Sequence, residues 1–420
     1  MDRASQQSVV VPAAAPSATA CIRSLGSRGV NTVAVAETTR APEFSSRYCD
    51  EGYVAPDPQE DFRGYANALF SLATRLDVRT IAPIREADVW ALSRYRSAFA
   101  DHVRTLWPPV ETIRTVYDRL ELVATASDAD VAVPETRLLA DVDDWDDDRI
   151  VKPRYALLTN DFVDDVSPAE IDHPGSVRYL EPGREPDCTS IREEMGHEPI
   201  VQERIRGEEY ALWALYDEGE AVATCGKHQL RGYSYAGNTS VARRTTAIPD
   251  LEEAGRSLLD ALDWHGPASV QFVRDEETGE FTLLEVNPRF WVSLSCPIEA
   301  GVDFACDFWR LATGQPVSAP ATYETGVTTH LLRGELVYLL SILREENPVI
   351  EPPPLPAATA EVAASVLRHP NFEYLEATDP GPFVRDVHNT VTEVIDLARE
   401  LPVPRRTRAV EALREPIQRL

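Results

Sequence analysis

Lysine is nearly missing from this sequence. Lys152 and Lys227 are the only lysines among 41 basic residues, and the other 39 are arginines. The 69 acidic residues outnumber the basic ones, so the 420-residue chain has a formal charge of −28. Nucleic acids and anionic membranes attract clustered positive charge, and this balance argues against either as the main partner. Acid excess with few lysines indicates adaptation to concentrated salt, where surface carboxylates repel one another less; a GC-rich genome that favours arginine is the alternative.

Cysteine is scarce as well. The six cysteines form no CxxC pair and have no histidine at metal-ligand spacing, which argues against structural zinc and a disulfide framework. We therefore expect a reducing, cytoplasmic location. No apolar run approaches the length of about 18 residues that a membrane-spanning helix needs. The first residues carry only a short apolar patch that continues into a strand pattern, so we expect no secretion signal.

Residues 1–111 alternate between strand-like and helix-like segments. Four short apolar runs are separated by helical patterns, at residues 9–11, 32–36, 53–55 and 80–83. Strands that alternate with helices predict an α/β domain with a doubly wound parallel sheet. The loop after the first run has no GxGxxG motif, so a dinucleotide ligand is not supported.

The remaining chain divides into residues 112–320 and residues 321–420. The first part combines a predicted helix over residues 112–125 with short strand patterns, which indicates an α+β domain. These patterns lie at residues 131–133, 150–152, 200–203, 210–216 and 221–225. The second part is predicted to be helical, with helices at residues 334–345, 359–368 and 382–400.

Two segments of residues 112–320 have the composition of loops. Residues 141–148 contain six aspartates in eight positions, which predicts a solvated acidic connector. Residues 155–198 are rich in Pro, Asp and Glu and weakly periodic, as expected of a mobile lid or of surface loops.

The strongest chemical pattern is a predicted β-hairpin. Residues 268–274 and 280–287 read as two antiparallel strands joined by a tight turn. Strand alternation places Leu283, Glu285 and Asn287 on one face of the hairpin. Residue spacing alone leaves open whether this is only the polar, solvent-facing side of the sheet.

The register of the hairpin decides which polar groups meet. With one bulged residue at Gly279, Gln271 lies opposite Glu285. The Glu285 carboxylate and the amide oxygens of Gln271 and Asn287 then converge on one patch of the sheet. Oxygen ligands of this kind suit Mg²⁺, which keeps part of its water shell and is completed by substrate phosphates. Arg289 follows two residues later and is placed to hold a phosphoryl group.

The segment PASVQFVRDEETGEFTLLEVNPRFW resembles the metal-binding core of the ATP-grasp superfamily, and EVNPR is its most specific part. A glutamine at the first metal position followed by Glu-x-Asn-Pro-Arg is similar to the carbamoyl-phosphate synthetases. The continuation WVSLSCPIEAGVDF resembles carboxylate–amine ligase-like members. The resemblance implies that Gln271, Glu285 and Asn287 bind Mg²⁺, or alternatively Mn²⁺, and that Arg289 is catalytic.

Other motifs follow in the order of the superfamily. The strand IVKPR resembles the one that carries a phosphate-contacting lysine, here Lys152. The segment PIVQERIRGEEY resembles the hinge, which implies that Glu203 and the backbone around Arg204 and Ile205 contact adenine. Glu209 would then bind the ribose hydroxyls.

Two further cations are implied by position. Lys227 falls where members place a basic residue near the phosphates or the acceptor, and we expect a catalytic role for it. Arg119 stands at the helix start that usually carries a lysine, so it would contact the α-phosphate. Both lysines of the chain thus fall in the expected site. Arginine is a poor substitute for lysine there, because the lysine ammonium is a compact charge with rotatable donors.

The resemblance covers about residues 112–320 and implies antiparallel sheets, with a lid over about residues 135–205. The implied activity is an ATP- and Mg²⁺-dependent, ADP-forming ligase that converts a small-molecule carboxylate to an acylphosphate for attack by an amine. Gly232 and Gly237 predict a flexible loop over the acceptor site, and Arg231 is a candidate substrate-carboxylate clamp. A homodimer is left open.

Two alternatives remain at this point. One is carboxyphosphate chemistry similar to carbamoyl-phosphate synthetase or biotin carboxylase. The other is an ATP-binding regulatory module without turnover. The second is favoured by one departure from the superfamily, since RYALLTNDF follows Lys152 where many members have a glycine-rich loop over the phosphates.

Overall fold

The computed structural model describes residues 7–13, 15–317 and 322–400. The N-terminal region contains strands β1 (Ser8–Pro12), β2 (Asn31–Ala36), β3 (Glu51–Val54) and β4 (Val78–Ile81). Its helices are α1 (Pro16–Gly26), α2 (Phe62–Ala73), α3 (Glu86–Arg94) and α4 (Arg96–Ala100). The four strands form one parallel sheet in the order β3-β2-β1-β4.

Strand β1 is apolar at nearly every position because helices cover both faces of this sheet. Val9 and Val11 pack in one hydrophobic cluster with Ile22 of α1, whereas Val10 packs in another with Leu69 of α2. This is the doubly wound parallel sheet that the alternating pattern predicts.

Two antiparallel sheets follow. The small one has the order β5-β8-β6-β7, with β5 (Thr136–Leu138), β6 (Arg149–Lys152), β7 (Arg178–Tyr179) and β8 (Ile200–Glu203). The large one contains β9 (Gly207–Asp217), β10 (Glu220–Ser234), β11 (Gly237–Thr246), β12 (Gly266–Asp275), β13 (Phe281–Asn287) and β14 (Thr328–His330). Its order is β13-β12-β9-β10-β11-β14. The associated helices are α5 (Val110–Tyr117), α6 (Arg119–Asp128), α7 (Cys188–Met195), α8 (Pro249–Ala261), α9 (Ser295–Glu299) and α10 (Phe304–Ala312).

The predicted hairpin of β12 and β13 is confirmed, and Gln271 lies opposite Glu285 as expected. The bulge is at Leu284 and not at Gly279, because the register shifts by one residue immediately beyond the Gln271–Glu285 pair. The shift moves Leu283 into the hydrophobic core, so its predicted place beside Glu285 is wrong. The bulge lies outside the Gln271–Glu285 pair, so the pairing of these two residues is as expected, and the metal site stays a prediction.

The helix predicted over residues 112–125 is two helices. Asp118 has an extended backbone between them, and its side chain accepts a hydrogen bond from the Leu120 backbone N–H at 3.0 Å, which caps α6. Residues 131–133, predicted to be a strand, are irregular and pair with no strand. The Ala132 carbonyl accepts one hydrogen bond from the Leu283 N–H.

The segment RGYSYAGNTS is a second hairpin and not a flexible loop. Gly232 of β10 pairs with Ser240 of β11, and Gly237 begins β11 after a tight turn. The predicted loop over an acceptor site is therefore wrong, because strand pairing fixes both glycines in the large sheet.

The C-terminal helices are confirmed as α11 (Leu332–Arg344), α12 (Leu355–Arg368) and α13 (Gly381–Glu400). The predicted domain boundary at residue 320 and the last twenty residues of the predicted helical region, 401–420, lie outside the described residues. Of the helices in the described ranges, none has the length and apolar character to cross a bilayer.

A segment between α12 and α13 joins the regions of the molecule. Asp379 accepts hydrogen bonds from Nε of Arg23 at 2.9 Å and Oγ of Ser46 at 2.7 Å, both in the N-terminal region. Glu373 accepts one from Nη1 of Arg243 in β11 at 2.6 Å, and both side chains are fully buried. The C-terminal region is thus held to both other regions by polar contacts.

We expect Glu373→Ala to lower the free energy of unfolding by about 3–5 kcal/mol, because it leaves the buried guanidinium of Arg243 without its carboxylate. Urea denaturation measures this change. The matched control is Glu376→Ala, which removes a half-exposed carboxylate 3.2 Å from Arg23 and is expected to cost less than about 1 kcal/mol. Equal effects of the two substitutions on the free energy of unfolding would contradict the structural importance of the buried Glu373–Arg243 ion pair.

Candidate functional site

Charged side chains from both antiparallel sheets converge with the start of α6. Nη1 of Arg119 donates a hydrogen bond to the Pro153 carbonyl at 2.8 Å, next to Lys152 at the end of β6. Nη2 of Arg119 lies 3.6 Å from Oε2 of Glu285 in β13. Lys152 also interacts electrostatically with Glu285 and with Glu209 of β9. The structure therefore brings four of the predicted ATP and metal residues together.

Lys152 has an unusual acidity. Desolvation lowers its pKa to about 8, and the positive charge of Arg119 acts in the same direction. Glu285 and Glu209 partly oppose the shift. A lysine of this kind gains protonation when an anion binds beside it, because the anion stabilises the charged form.

Glu285 stays ionised in this cluster. Desolvation raises its pKa, but Arg119, a hydrogen bond from Asn287 and the charges of Lys152 and Arg289 outweigh that effect, so the pKa is below its usual value. Nδ2 of Asn287 donates to Oε1 of Glu285 at 3.0 Å, and Nη2 of Arg289 donates to Oδ1 of Asn287 at 3.4 Å. The EVNPR segment is thus a connected network.

The oxygen atoms of Gln271, Glu285 and Asn287 suit Mg²⁺ that is also bound by phosphate and water. They suit less well a cation whose ligands all come from the protein. Glu285 supplies one carboxylate, and Gln271 and Asn287 supply amide oxygens on the same strand pair. Within the described ranges, no three or more His, Cys, Asp or Glu side chains form a group that could hold a metal ion. A single carboxylate with amide oxygens is the kind of site that phosphate oxygens and water complete.

Gln229, which was not predicted to be a site residue, links Lys227 to Glu209. Nζ of Lys227 donates to Oε1 of Gln229 at 2.8 Å, and Nε2 of Gln229 donates to Oε2 of Glu209 at 2.7 Å. Desolvation lowers the pKa of Lys227 to about 8, against the attraction of Glu209. Strand alternation places Gln229 on the same face of β10 as Lys227, so the sequence pattern contained the information needed to identify it.

Arg289 is held by the N-terminal region, which was not predicted. Its Nε donates to Oε1 of Glu86 at 2.8 Å, and Glu86 is the first residue of α3. Desolvation raises the pKa of Glu86 despite the opposing charge of Arg289. Glu86 follows β4, and the carboxyl ends of parallel strands are where α/β sheets present ligand-binding groups.

The hinge residues lie beside a cavity of about 490 Å³, whose lining includes Glu203, Arg204 and Ile205. Lys152 and Glu285 are not among the lining residues, so the hinge cavity and the charged cluster are distinct. They are joined by β6 and β8, which run side by side from one to the other.

Asp148 fixes the hinge. Nε and Nη2 of Arg204 donate to its two carboxylate oxygens at 2.8 and 2.6 Å, and Nη2 of Arg206 donates to it at 2.9 Å. The prediction that residues 141–148 are only a solvated connector is therefore wrong at this position. Sequence spacing carries no sign of this contact, because its partners are more than fifty residues apart.

Arg231 is bound by carboxylates of the C-terminal helices. Its Nε and Nη2 donate to Glu335 at 2.8 and 2.7 Å, and Nη1 donates to Glu361 at 3.1 Å. The side chain is only 4% exposed. The expected clamp for a substrate carboxylate on a flexible loop is corrected to a buried ion pair between β10 and α11.

A hydrogen bond joins the segment predicted to be a lid to the large sheet. The Tyr179 hydroxyl in β7 donates to the Ala236 carbonyl in the turn between β10 and β11 at 2.7 Å. Within RYALLTNDF, Leu157 is fully buried, and Tyr155 stacks on Phe162 with ring centroids 4.8 Å apart. The RYALLTNDF segment, which has no glycine, is therefore packed by its own apolar and aromatic side chains.

A family model described as "ATP-grasp in the biosynthetic pathway with Ter operon" matches residues 196–334. Over 56 residues the chain is 43% identical to acetyl-CoA carboxylase 2 of Oryza sativa subsp. japonica, a match that covers 13% of this chain and 2% of that protein.

Similar solved structures cover more of the chain. N5-carboxyaminoimidazole synthetase from Staphylococcus aureus has a TM-score of 0.56 at 14% identity, over 77% of this chain and 80% of that one. The biotin carboxylase domain of the Hydrogenobacter thermophilus 2-oxoglutarate carboxylase, a dimer solved with MgADP, ADP and bicarbonate, has a TM-score of 0.59 at 15% identity, over 77% and 73%. L-amino acid ligase from Bacillus licheniformis has a TM-score of 0.54 at 14% identity, over 73% and 74%. The chain therefore has the ATP-grasp fold, and residues 196–334 match an ATP-grasp family model.

Proposed function

We propose that the protein is an ATP- and Mg²⁺-dependent ligase that activates a small-molecule carboxylate as an acylphosphate for attack by an amine, with release of ADP. The observation that carries this proposal is the convergence of Arg119, Lys152 and Lys227 around Glu285 and Glu209, in a chain whose charge is −28. Cations concentrated in one cleft of an acidic protein favour a polyanion, and a triphosphate with its metal is such a ligand.

The hinge and the cluster would bind different parts of ATP. Glu203 and the backbone of Arg204 and Ile205 would contact adenine at the hinge cavity, and Glu209 would bind the ribose hydroxyls. Lys152 and Arg119 would neutralise the phosphates. Gln271, Glu285 and Asn287 would hold Mg²⁺, which when bound neutralises phosphate charge and orients the phosphate oxygens.

The chemical step is phosphoryl transfer followed by displacement. A carboxylate oxygen of the substrate forms a bond to the γ-phosphorus while the bond to the ADP oxygen breaks. The amine then attacks the acyl carbon, phosphate leaves and the nitrogen loses a proton. Arg289, braced by Glu86 and Asn287, would hold the transferred phosphoryl group, and Lys227 would face the acceptor side. The lid would exclude water from the acylphosphate.

Two observations favour a second candidate, the formation of carboxyphosphate from bicarbonate. The short identity to acetyl-CoA carboxylase 2 and a structural neighbour solved with bicarbonate both point to that chemistry. The family description, which refers to a biosynthetic pathway, supports either reaction on small molecules.

Release of ADP from MgATP distinguishes the candidates. The ligase predicts repeated turnover to ADP only when both a carboxylate and an amine are supplied, because the carboxylate alone supports at most one phosphoryl transfer per enzyme while the acylphosphate stays bound; pools of each are tested singly and together. The carboxyphosphate reaction predicts release with bicarbonate alone. ATP binding without ADP release under any of these conditions would contradict both reactions and favour the regulatory module.

The two lysines give nucleotide binding a defined pH dependence. With pKa values of about 8, both lose protons as the pH rises from about 7 to about 9.5. Because bound triphosphate favours their charged forms, we expect ATP affinity to fall over this range by up to about tenfold per pH unit for each lysine. Calorimetry in buffers of different ionisation enthalpy is expected to detect proton uptake near pH 8.5. Affinity that is constant from about pH 7 to about pH 9.5 would contradict the assignment.

A further inference from the structure

Large apolar side chains are exposed on the solvent side of helices α11 and α13. Within the described ranges, eleven large hydrophobic side chains are exposed, and five of them lie on these two helices. Their exposed fractions are between 44% and 63%, and they are Leu336, Leu343, Val384, Val387 and Val391. Such residues normally occur singly on a surface, so their concentration on two helices indicates a surface that another segment covers.

Helices α11 and α13 are neighbours, and their other sides are occupied. Nη1 of Arg333 in α11 lies 3.4 Å from Oδ1 of Asp386 in α13. Phe383 of α13 packs against the hydrophobic cluster that includes residues of α11. Nδ2 of Asn389 donates a hydrogen bond to the Arg40 carbonyl at 2.8 Å, which ties α13 to the N-terminal region. The exposed side chains are therefore the part of this helix pair that the described residues leave uncovered.

The five exposed side chains form one stripe on each helix. The three valines of α13 recur at intervals of three and four residues, and the two leucines of α11 are seven residues apart. Helical geometry therefore places each set on one side of its helix. Leu336 is one turn from Arg333, and Val387 is adjacent to Asp386, so both stripes approach the ion pair that joins the helices. We call these five side chains the outer face.

The sequence that follows α13 has a matching pattern. Residues 401–420 lie outside the described residues. Their apolar positions include a set at helical spacing, formed by Val410, Leu413, Ile417 and Leu420. Pro402 and Pro404 separate this pattern from that of α13.

The segment is long enough to reach the outer face. Ten residues connect Glu400 to Val410 and can span about 33 Å. The helix extends only about 24 Å from Val384 back to its end at Glu400. Residues 410–420 can therefore return along the whole length of the valine stripe.

Charge and area favour this segment over a second copy of the chain. Residues 401–420 contain five arginines and two glutamates, in a chain whose formal charge is −28. A second copy would bring another strongly negative surface, and like charges repel. The outer face has five large apolar side chains, whereas a stable dimer buries about 20–30 residues per partner. A segment of the same chain needs less area, because its effective concentration is high.

We propose that residues 401–420 bind the outer face of α11 and α13 through the side that carries Val410, Leu413, Ile417 and Leu420. The contact covers the exposed valines and leucines and keeps them from associating with other molecules. This inference is independent of the proposed nucleotide site, since it uses none of the residues assigned to ATP or metal.

Photo-crosslinking in the full chain tests this contact. A benzophenone amino acid is incorporated in place of Val387, the dilute protein is irradiated, and the crosslinked peptides are identified by mass spectrometry. We expect intrachain products that join position 387 to peptides from residues 401–420. The matched control carries the same amino acid in place of Leu76, which is 94% exposed in the N-terminal region, and is expected to give no such product. Position 343 replaces position 387 if the latter variant lacks a melting transition.

A pair of tail variants separates specific binding from chance collision. Leu413→Asp with Ile417→Asp places two carboxylates on the apolar side, and we expect it to lower the crosslink yield at least about tenfold. Thr407→Asp with Gln418→Asp adds the same charge on the opposite side of the helical pattern and is expected to keep most of the yield. Equal yields in the two variants, or no product with residues 401–420, would overturn the inference. Interchain products would overturn it in favour of a second copy on the outer face.

Discussion

Glu285→Gln is expected to lower the rate of Mg²⁺-dependent ADP release at least about 100-fold, because it removes the only carboxylate of the proposed metal site. The same substitution removes a negative charge that lies between Arg119, Lys152 and Arg289. Metal-free ATP is therefore expected to bind the variant as tightly as wild type, or more tightly. The combined result, lost metal dependence with retained nucleotide affinity, is one that simple unfolding cannot produce.

The matched control for this prediction lies in the same hairpin. Glu280 is exposed next to the turn, and Glu280→Gln makes the same chemical change there. It is expected to leave both metal dependence and ADP release unchanged. Asn287→Ala is expected to follow Glu285→Gln, since Asn287 shares the network. Near wild-type rates in either site variant would refute the metal assignment.

Lys152→Met is expected to weaken ATP binding about 10- to 100-fold, because a charge-assisted contact to phosphate is lost without replacement. Lys152→Arg keeps the charge and is expected to recover part of the affinity. Calorimetric titration measures both. Unchanged affinity in Lys152→Met would exclude a phosphate contact.

The scarcity of lysine supplies a second readout. With two lysine side chains in the chain, an amine-reactive reagent followed by mass spectrometry reports on Lys152 and Lys227 separately. Their pKa values of about 8 favour reaction near neutral pH. ATP is expected to protect Lys152 from modification, and equal modification with and without ATP would contradict the site.

Local sequence patterns predicted the parts of the fold that local rules control. The alternation around Val9–Val11 indicated the buried parallel sheet, and the hairpin spacing placed Gln271 opposite Glu285. The position of the bulge was wrong because a tight turn with a glycine and a bulge within the strand give the same register beyond it. The pairing of Phe272 with Leu283, between the bulge and the turn, distinguishes the two.

The contacts that the sequence did not reveal join distant segments. Glu86 and Arg289 are about two hundred residues apart, and Asp148 reaches Arg204 from a loop whose composition suggested only solvent. Arg231 was misassigned for the same reason, since its partner Glu335 lies on a helix one hundred residues later. Charge and spacing identify such residues as polar but cannot specify which charges meet. The roles of the individual site residues and the salt adaptation stay predictions.

Calorimetric titration of ATP into the wild-type chain, with and without Mg²⁺ and in molar KCl, is the decisive measurement for the proposed nucleotide site. We expect saturable binding at one site that Mg²⁺ strengthens and that is accompanied by proton uptake above pH 8. A chain with a clear melting transition that binds no ATP under these conditions would contradict it.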